Sequence, residues 1–486
     1  MKRHHLILIL ILFIGFFFRT YQIVERFEFA HDGDLYSWII KDIVDNGHFR
    51  LIGQLTSAPG IFIGPLFYYL LIPFFVITNM DPIGALIPVT LLGLLTIYSY
   101  YFVLSKIFSY EVGLIGSFLY AVLIVTVNSD RWVVPTVTTS LWAVWYLYTL
   151  VMLSRRKWSH LYLLGLLIGL IWHVHIALLP ALLAVPVSLL FAKQIPSVKY
   201  ILGFAVSLFS ASLPFLIFEL RHGMSQTLSF MNNFSDPEQG IAPGIYKFKL
   251  VLDMIAKNIN SLFFSPQSSR FTENIVFIFA ILLSPLFFIK KKLGEFLILY
   301  SWIIGLILFF SFSHTLISEY YFSSFNVIFI ALISLLIYIL FKSSTFGKIL
   351  TILILSIVLV KNIHFLITGD FYNKGYLEKK AVVNFIKQDA EKKGFPCFGI
   401  SYITAQGENV GFRYLFFLNK MHILRPSLEV PVYNIVIPDE LSKEVTQKFG
   451  HIGIIPPDKT PSKEFFENRC QVPNTNLTES ILGYVE

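Results

Sequence analysis

Charge is scarce in this 486-residue chain. Asp, Glu, Lys and Arg make up 14% of it, while 55% is hydrophobic. Soluble domains carry about 25% charged residues, so that class is excluded. Cysteine is nearly absent: Cys397 and Cys470 are the two present, both in a polar C-terminal stretch. One pair permits one disulfide, which needs an oxidising compartment. Two unrelated thiols fit the sequence equally well. No Walker motif, GxGxxG or metal-spaced cluster of Cys and His occurs. That argues against ATP-driven transport and against direct use of a nucleotide sugar. The formal charge of +8 is not a nucleic-acid footprint. Much of it sits in short loops between apolar runs, where it sets membrane orientation.

What the chain has in quantity is long apolar runs. They lie near 6–24, 62–78, 83–104, 112–128, 133–153, 160–191, 200–218, 272–289, 295–312, 322–341 and 347–367. Runs near 20 residues mark membrane helices. The 49 Phe and 24 Tyr suit lipid-facing and interfacial positions. The opening MKRHH and its apolar run have the form of a signal peptide, but Phe16, Phe17, Phe18 and Arg19 stand where small residues would mark cleavage. A retained first span is expected. The run 160–191 would reach about 48 Å as one helix, against a hydrocarbon core of about 30 Å. Pro180 and Pro186 allow two short helices there.

Basic residues then fix the orientation. Lys2 and Arg3, Arg155 to Lys157, Lys193 and Lys199, Lys290 to Lys292, and Lys342 with Lys348 share the cytoplasmic side on one condition. The run 160–191 must cross twice, and 62–78 must not cross. The expected fold is therefore an α-helical polytopic membrane protein with about 11 crossings. Its membrane domain covers 1–369. The first outer loop covers 25–82 and contains 62–78 as a tilted or re-entrant helix. Residues 370–486 read as a small α/β domain on the extracytoplasmic face. A helix is expected over 377–393, with strands over 397–403 and 432–437.

Few residues carry chemistry. Asp32 and Asp34 lie in HDGDLYSW, just beyond the first span. Carboxylates at a membrane rim cost desolvation energy unless they have a partner or a task. One can act as a general base while the other orients substrate or holds a divalent metal. Both equally suit the N-terminus of the helix that follows. Arg131 stands beside Asp130 in NSDRWVVPT. Its guanidinium can grip a phosphate, or it can snorkel with Trp132 as an anchor. Glu219, Arg221 and His222 close PFLIFELRHG, either as a structural pair or as a phosphate site. His173 and His175 in IWHVHI project to different sides of a helix, so joint metal binding is not expected. They mark a polar cavity or satisfied core positions. Glu319 and Tyr320 in SEYYFSSFNV complete an outer cavity or belong to the interfacial belt.

Taken in order, HDGD after the first span, GIFIGPLFYYLLIPFF, SDRWVVPT and PFLIFELRHG resemble the bacterial membrane glycosyltransferases of the GT-C fold. The resemblance is to the group related to protein O-mannosyltransferases and the lipid A aminoarabinose transferase. It covers about residues 1–340; the tail matches only in kind. GPLFYYLL and FELRHG in this order are fairly specific, whereas each alone is weak. The resemblance implies a hexosyltransferase-type enzyme of the plasma (inner) membrane, with its active site facing outside. It would move a sugar from a polyprenyl-phosphate donor to a lipid, glycan or protein acceptor. No cofactor is implied for certain, and a divalent metal stays open. The family pattern has Glu directly after the first Asp; here Gly33 stands there and Asp34 follows. A lipid phosphate leaves without an acid, but the acceptor hydroxyl needs a base. Departing phosphate needs a fixed cation. Asp32 is thus the expected base with Asp34 in support, and Arg131 and Arg221 the expected phosphate ligands. A transporter or flippase of lipid-linked sugars is the first rival, but it would show matching repeats, and none is visible. A polymerase or ligase is the second.

Overall fold

The computed structural model describes residues 3–235, 241–264, 275–287, 289–315, 317–369, 373–405, 407–458, 461–479 and 481. Apolar runs in a bilayer become helices because a helix satisfies its own backbone groups. The chain opens with α1 (Arg3–Thr20), α2 (His31–Asn46), α3 (Leu66–Ile77), α4 (Leu86–Ile107), α5 (Tyr110–Val122) and α6 (Ile124–Arg131). Among the described residues, six helices are long and apolar enough to cross a membrane. They are Pro82–Ile107, Pro135–Ser154, Val198–Arg221, Gly294–Phe312, Glu319–Ser343 and Thr345–Thr368. The pair α5 and α6, bent by 64°, makes a seventh candidate. His4–Thr20, His160–Val174 and Ile176–Ala192 are shorter apolar helices. The chain is a multi-pass integral membrane protein.

Two expected details meet the structure differently. Helix α3 has 12 residues, or about 18 Å, too short to cross, as the reading of 62–78 requires. The run 160–191 is divided, but at His175 rather than at its prolines. The His175 backbone is extended, and its Nδ1 accepts the Ala177 N–H at 3.1 Å. A side-chain cap ends one helix and starts the next. Of the run 272–289, Ile275–Phe287 is helical. Lys2 and residues 272–274 lie outside the described residues, as do the side chains of Lys290, Lys291 and Lys292.

Basic loops gather at one end of the bundle. Arg155 donates to the carbonyls of Lys106 and Ile107 and pairs with Glu295 at 2.7 Å. Arg156 donates to the Ala192 carbonyl at 2.9 Å, and Lys342 pairs with Glu111 at 3.2 Å. The loop after α1 and the polar tail occupy the other end.

The tail is a small α/β unit. Helix Tyr376–Lys393 ends at Gly394, whose φ of +69° suits a residue without a Cβ. Five strands follow: β1 (Phe398–Thr404), β2 (Ile423–Leu424), β3 (Val432–Ile437), β4 (Gln447–Phe449) and β5 (Ile452–Ile455). Their order is β2-β1-β3-β5-β4. β1 runs parallel to β2 and β3, and β5 is antiparallel to β3 and β4. Alternate residues of β3, Tyr433, Ile435 and Ile437, are buried. Cys397 and Cys470 form a disulfide that ties the start of β1 to the end of helix Lys463–Arg469.

This unit clasps the loop that follows α1. The Tyr376 N–H donates to the Phe27 carbonyl, and Lys379 Nζ to the Phe29 carbonyl, both at 2.8 Å. Lys380 pairs with Asp81 at 2.7 Å. Trp38 of α2 packs edge-on against Tyr414, with ring centres 5.6 Å apart. In the native protein, a thiol-alkylating reagent is expected to label neither cysteine until a reductant is added. Labelling of both without reduction would contradict the pairing.

Candidate active site

A buried ion pair joins the first span to the bent one. Arg19 Nη2 meets Asp130 Oδ2 at 2.5 Å, and Arg19 Nε meets the same oxygen at 2.8 Å. The Tyr120 hydroxyl donates to Asp130 Oδ1 at 2.7 Å. Arg19 Nη1 donates to the carbonyls of Gly15 and Ala121. A buried pair is tolerated when hydrogen bonds of this kind complete it. Room comes from Gly93, where a Cβ would lie 2.6 Å from Arg19 Nε.

Arg131, the next residue, closes the end of α1. It donates to the carbonyls of Phe18, Arg19 and Tyr21, groups a helix C-terminus leaves unpaired. Its Nη1 has no hydrogen-bond partner among the described residues. The bend between α5 and α6 is satisfied as well. Thr126 donates to the carbonyls of Tyr120 and Leu123, both at 2.7 Å, and Asn362 Oδ1 accepts the Ile124 N–H at 2.8 Å.

The bend opens a cleft of about 660 Å³ between the loop after α1, the end of α6 and residues 319–326. Arg26, Asp32, Tyr36, Arg131, Glu319 and Tyr320 are on its walls. A second pocket of about 240 Å³ adjoins it, and Asp32, Trp132 and Tyr320 line both. Asp32 therefore stands at the wall common to the two cavities. Gln54 Nε2 donates to Asp32 Oδ1 at 3.2 Å. Gln54 is itself fixed by the Tyr68 hydroxyl of α3, which accepts from its backbone N–H at 3.0 Å and donates to its side-chain oxygen at 3.1 Å. The short helix α3 thus holds the carboxylate through one glutamine. Burial lifts the Asp32 carboxyl above its ordinary 3.8, with His31 and the Gln54 hydrogen bond pulling the other way. A raised carboxyl is a stronger proton acceptor when ionised.

The other sequence candidates divide into near and far. Asp34 lines neither cavity. It accepts the Tyr414 N–H at 2.8 Å in the seam with the tail, and burial pushes its carboxyl up to about 6. Asp130 belongs to the Arg19 pair. Glu219 is buried and accepts the N–H groups of Gln226 and Thr227 at 3.0 and 2.9 Å. It caps the N-terminus of helix Ser225–Ser235. Arg221 and His222 are exposed and line neither cavity. His222 stacks on Phe218. His173 anchors α3, accepting the Leu66 N–H at 3.4 Å and donating to the Ala211 carbonyl at 3.1 Å. His175 is on the wall of the second pocket. Glu319 and Tyr320 line the cleft, with Glu319 paired to Lys257.

Sequence reasoning passed over Arg26, Tyr36 and Gln54. Tyr36 lies four residues after Asp32 on α2, the spacing that shares a helix face. Its hydroxyl is buried without a hydrogen-bond partner among the described residues. Arg26 stands six residues before Asp32 in RFEFAHD. Gln54 carried no local signal. Among the described residues, no three His, Cys, Asp or Glu side chains are grouped to hold a metal ion.

No protein-family model and no curated protein matches the chain. Solved structures do. One is ArnT from Cupriavidus metallidurans bound to undecaprenyl phosphate, with a TM-score of 0.57 and 11% identity over 93% of this chain and 97% of that one. Another is the archaeal oligosaccharyltransferase AglB from Archaeoglobus fulgidus, in complex with an inhibitory peptide and a dolichol-phosphate. It gives a TM-score of 0.50 and 12% identity over 95% of this chain and 75% of that one. The shared architecture is the GT-C fold, the fold expected from the order of the sequence elements.

Arg19→Ala would leave Asp130 buried and unpaired, a loss of about 3–5 kcal/mol. A clearly lower thermal midpoint in detergent is expected. Arg221→Ala is expected to shift stability by no more than about 0.5 kcal/mol. Equal midpoints for the two variants would contradict these assignments.

Proposed function

We propose that this protein is a glycosyltransferase that uses a polyprenyl-phosphate-linked sugar as donor, with its cleft at the outer face of the plasma membrane. One observation carries the reading. A carboxylate, Asp32, stands where two cavities meet, and the larger cavity also bears Arg26 and Arg131. The two similar structures hold lipid phosphates, undecaprenyl phosphate in one and a dolichol-phosphate in the other, which supports the donor class. In this reading residues 1–369 are the catalytic membrane domain and 370–486 an extracytoplasmic domain that holds the first outer loop in place.

The chemistry follows from the residues. Asp32 takes the proton of an acceptor hydroxyl on a lipid, glycan or protein. The hydroxyl oxygen bonds to the anomeric carbon while the bond from that carbon to the phosphate oxygen breaks. The bonding pair leaves with the phosphate, and attack from the opposite face inverts the anomeric centre. The leaving group is already an anion and needs no proton. Arg131 Nη1 and the Arg26 guanidinium face its charge, fixed before the reaction begins. Asp34 supports the base indirectly, through the seam that holds α2.

Asp32→Asn is expected to cut turnover by about 10²–10⁴-fold. Thermal stability and binding of sugar-free polyprenyl phosphate should not change, since Asn still accepts from Gln54. Asp34→Ala should instead cost about 1–3 kcal/mol of stability by stranding the Tyr414 N–H. Because Asp32 acts ionised and its carboxyl is raised, activity should fall as pH drops, with a midpoint above 3.8. A radiolabelled panel of polyprenyl-phosphate sugars measures turnover and its pH profile, thermal unfolding in detergent measures stability, and direct binding measures affinity for the sugar-free lipid. Wild-type turnover by Asp32→Asn would contradict the proposal.

A further inference from the structure

We infer that the pocket of about 240 Å³ beyond Asp32 is the subsite for the transferred sugar, and that it takes a single monosaccharide without a negative charge. This rests on the glycosyltransferase reading above and gives it a substrate class.

The anomeric carbon links the phosphate to the sugar ring and must lie one acceptor oxygen away from Asp32. Asp32 borders both cavities. Arg26 and Arg131 both line the cleft and not the pocket. A phosphate drawn to the arginines therefore leaves the ring on the pocket side of Asp32.

The pocket has the groups that read hydroxyls. His175 is 6% exposed, and its Nδ1 is already taken by the Ala177 N–H. The ring hydrogen is thus on Nε2, which has no hydrogen-bond partner among the described residues. The Thr136 hydroxyl on the same pocket also has no partner among them. Trp132, 48% exposed, lies on both cavities and offers a flat face to the C–H side of a ring. Sites with unpaired donors of this kind select strongly for ligands that satisfy them.

Charge narrows the ligand further. Among the described residues lining the pocket, Asp32 is the one charged side chain, and neither lysine nor arginine is present. A sugar bearing a carboxylate would meet Asp32 with no cation to offset it. The volume suits one ring rather than an oligosaccharide.

Direct binding to the purified full chain tests this, with three kinds of probe: undecaprenyl phosphate, its glucose, mannose and galactose derivatives, and its glucuronate derivative. The wild type is expected to bind the best of the neutral derivatives at least tenfold more tightly than the glucuronate derivative. Thr136→Val, and His175→Asn, which keeps an acceptor for the Ala177 N–H, should each weaken that neutral derivative by about tenfold, the worth of one hydrogen bond. Both should bind sugar-free undecaprenyl phosphate as the wild type does. Wild-type affinity of both variants for every neutral derivative would overturn the subsite, as would equal binding of the glucuronate lipid. Failure of the wild type to bind undecaprenyl phosphate at all would overturn the glycosyltransferase reading itself, and the subsite with it.

Discussion

The buried Arg19–Asp130 pair is the joint on which the cleft depends. It fastens the end of α1 to the end of α6, and those two ends define where the outer loop begins and where the bent span stops. Arg131 completes the joint by filling the carbonyls left open at the end of α1. Two adjacent residues of opposite charge thus serve one helix end from two sides. The 64° bend sets α6 at an angle to α5. Backbone groups freed at the bend are met by Thr126, Asn362 and Arg19, as a bend at membrane depth requires.

From that joint the chain runs through Arg26 to HDGD, where two acids only two residues apart go to different work. On a helix, such residues lie about 200° apart. Asp32 falls on the cavity side and Asp34 on the side facing the tail. Gly33 between them has a steric cause: a Cβ there would lie 2.6 Å from the Phe29 ring. A longer side chain has no room there. The tail side is equally tight. Gly411 has φ of +82°, and a Cβ there would meet the Phe29 carbonyl at 2.3 Å. Burial lowers the Lys379 ammonium to about 8, while Asp34 nearby raises it. The tail is therefore part of the apparatus that positions Asp32, although it contributes no residue to either cavity wall.

Much of this was legible in the sequence. Hydropathy and basic loops marked apolar spans, a non-crossing helix within 62–78 and the polar tail, because those properties are local and periodic. The order of HDGD, GPLFYYLL and SDRW gave the GT-C fold. What the sequence hid was partnership at a distance. Arg19 and Asp130 are 111 residues apart, and nothing local distinguishes an aspartate held in an ion pair from one that faces a cavity. Glu219 looked like half of an ion pair with Arg221, yet it folds back to cap the next helix and leaves Arg221 in solvent. The break in 160–191 was sought at prolines, the residues that break helices by composition. It was made by a histidine, whose capping bond appears only once the backbone has turned.

The central claim is that a lipid phosphate occupies the cleft beside Asp32. An experimental structure of the full chain with undecaprenyl phosphate bound tests it most directly. The expected result is phosphate density in the cleft within hydrogen-bond reach of Arg26 or Arg131 Nη1, with Asp32 lining the same space. Phosphate bound elsewhere on the protein, with the cleft free of lipid density, would contradict it.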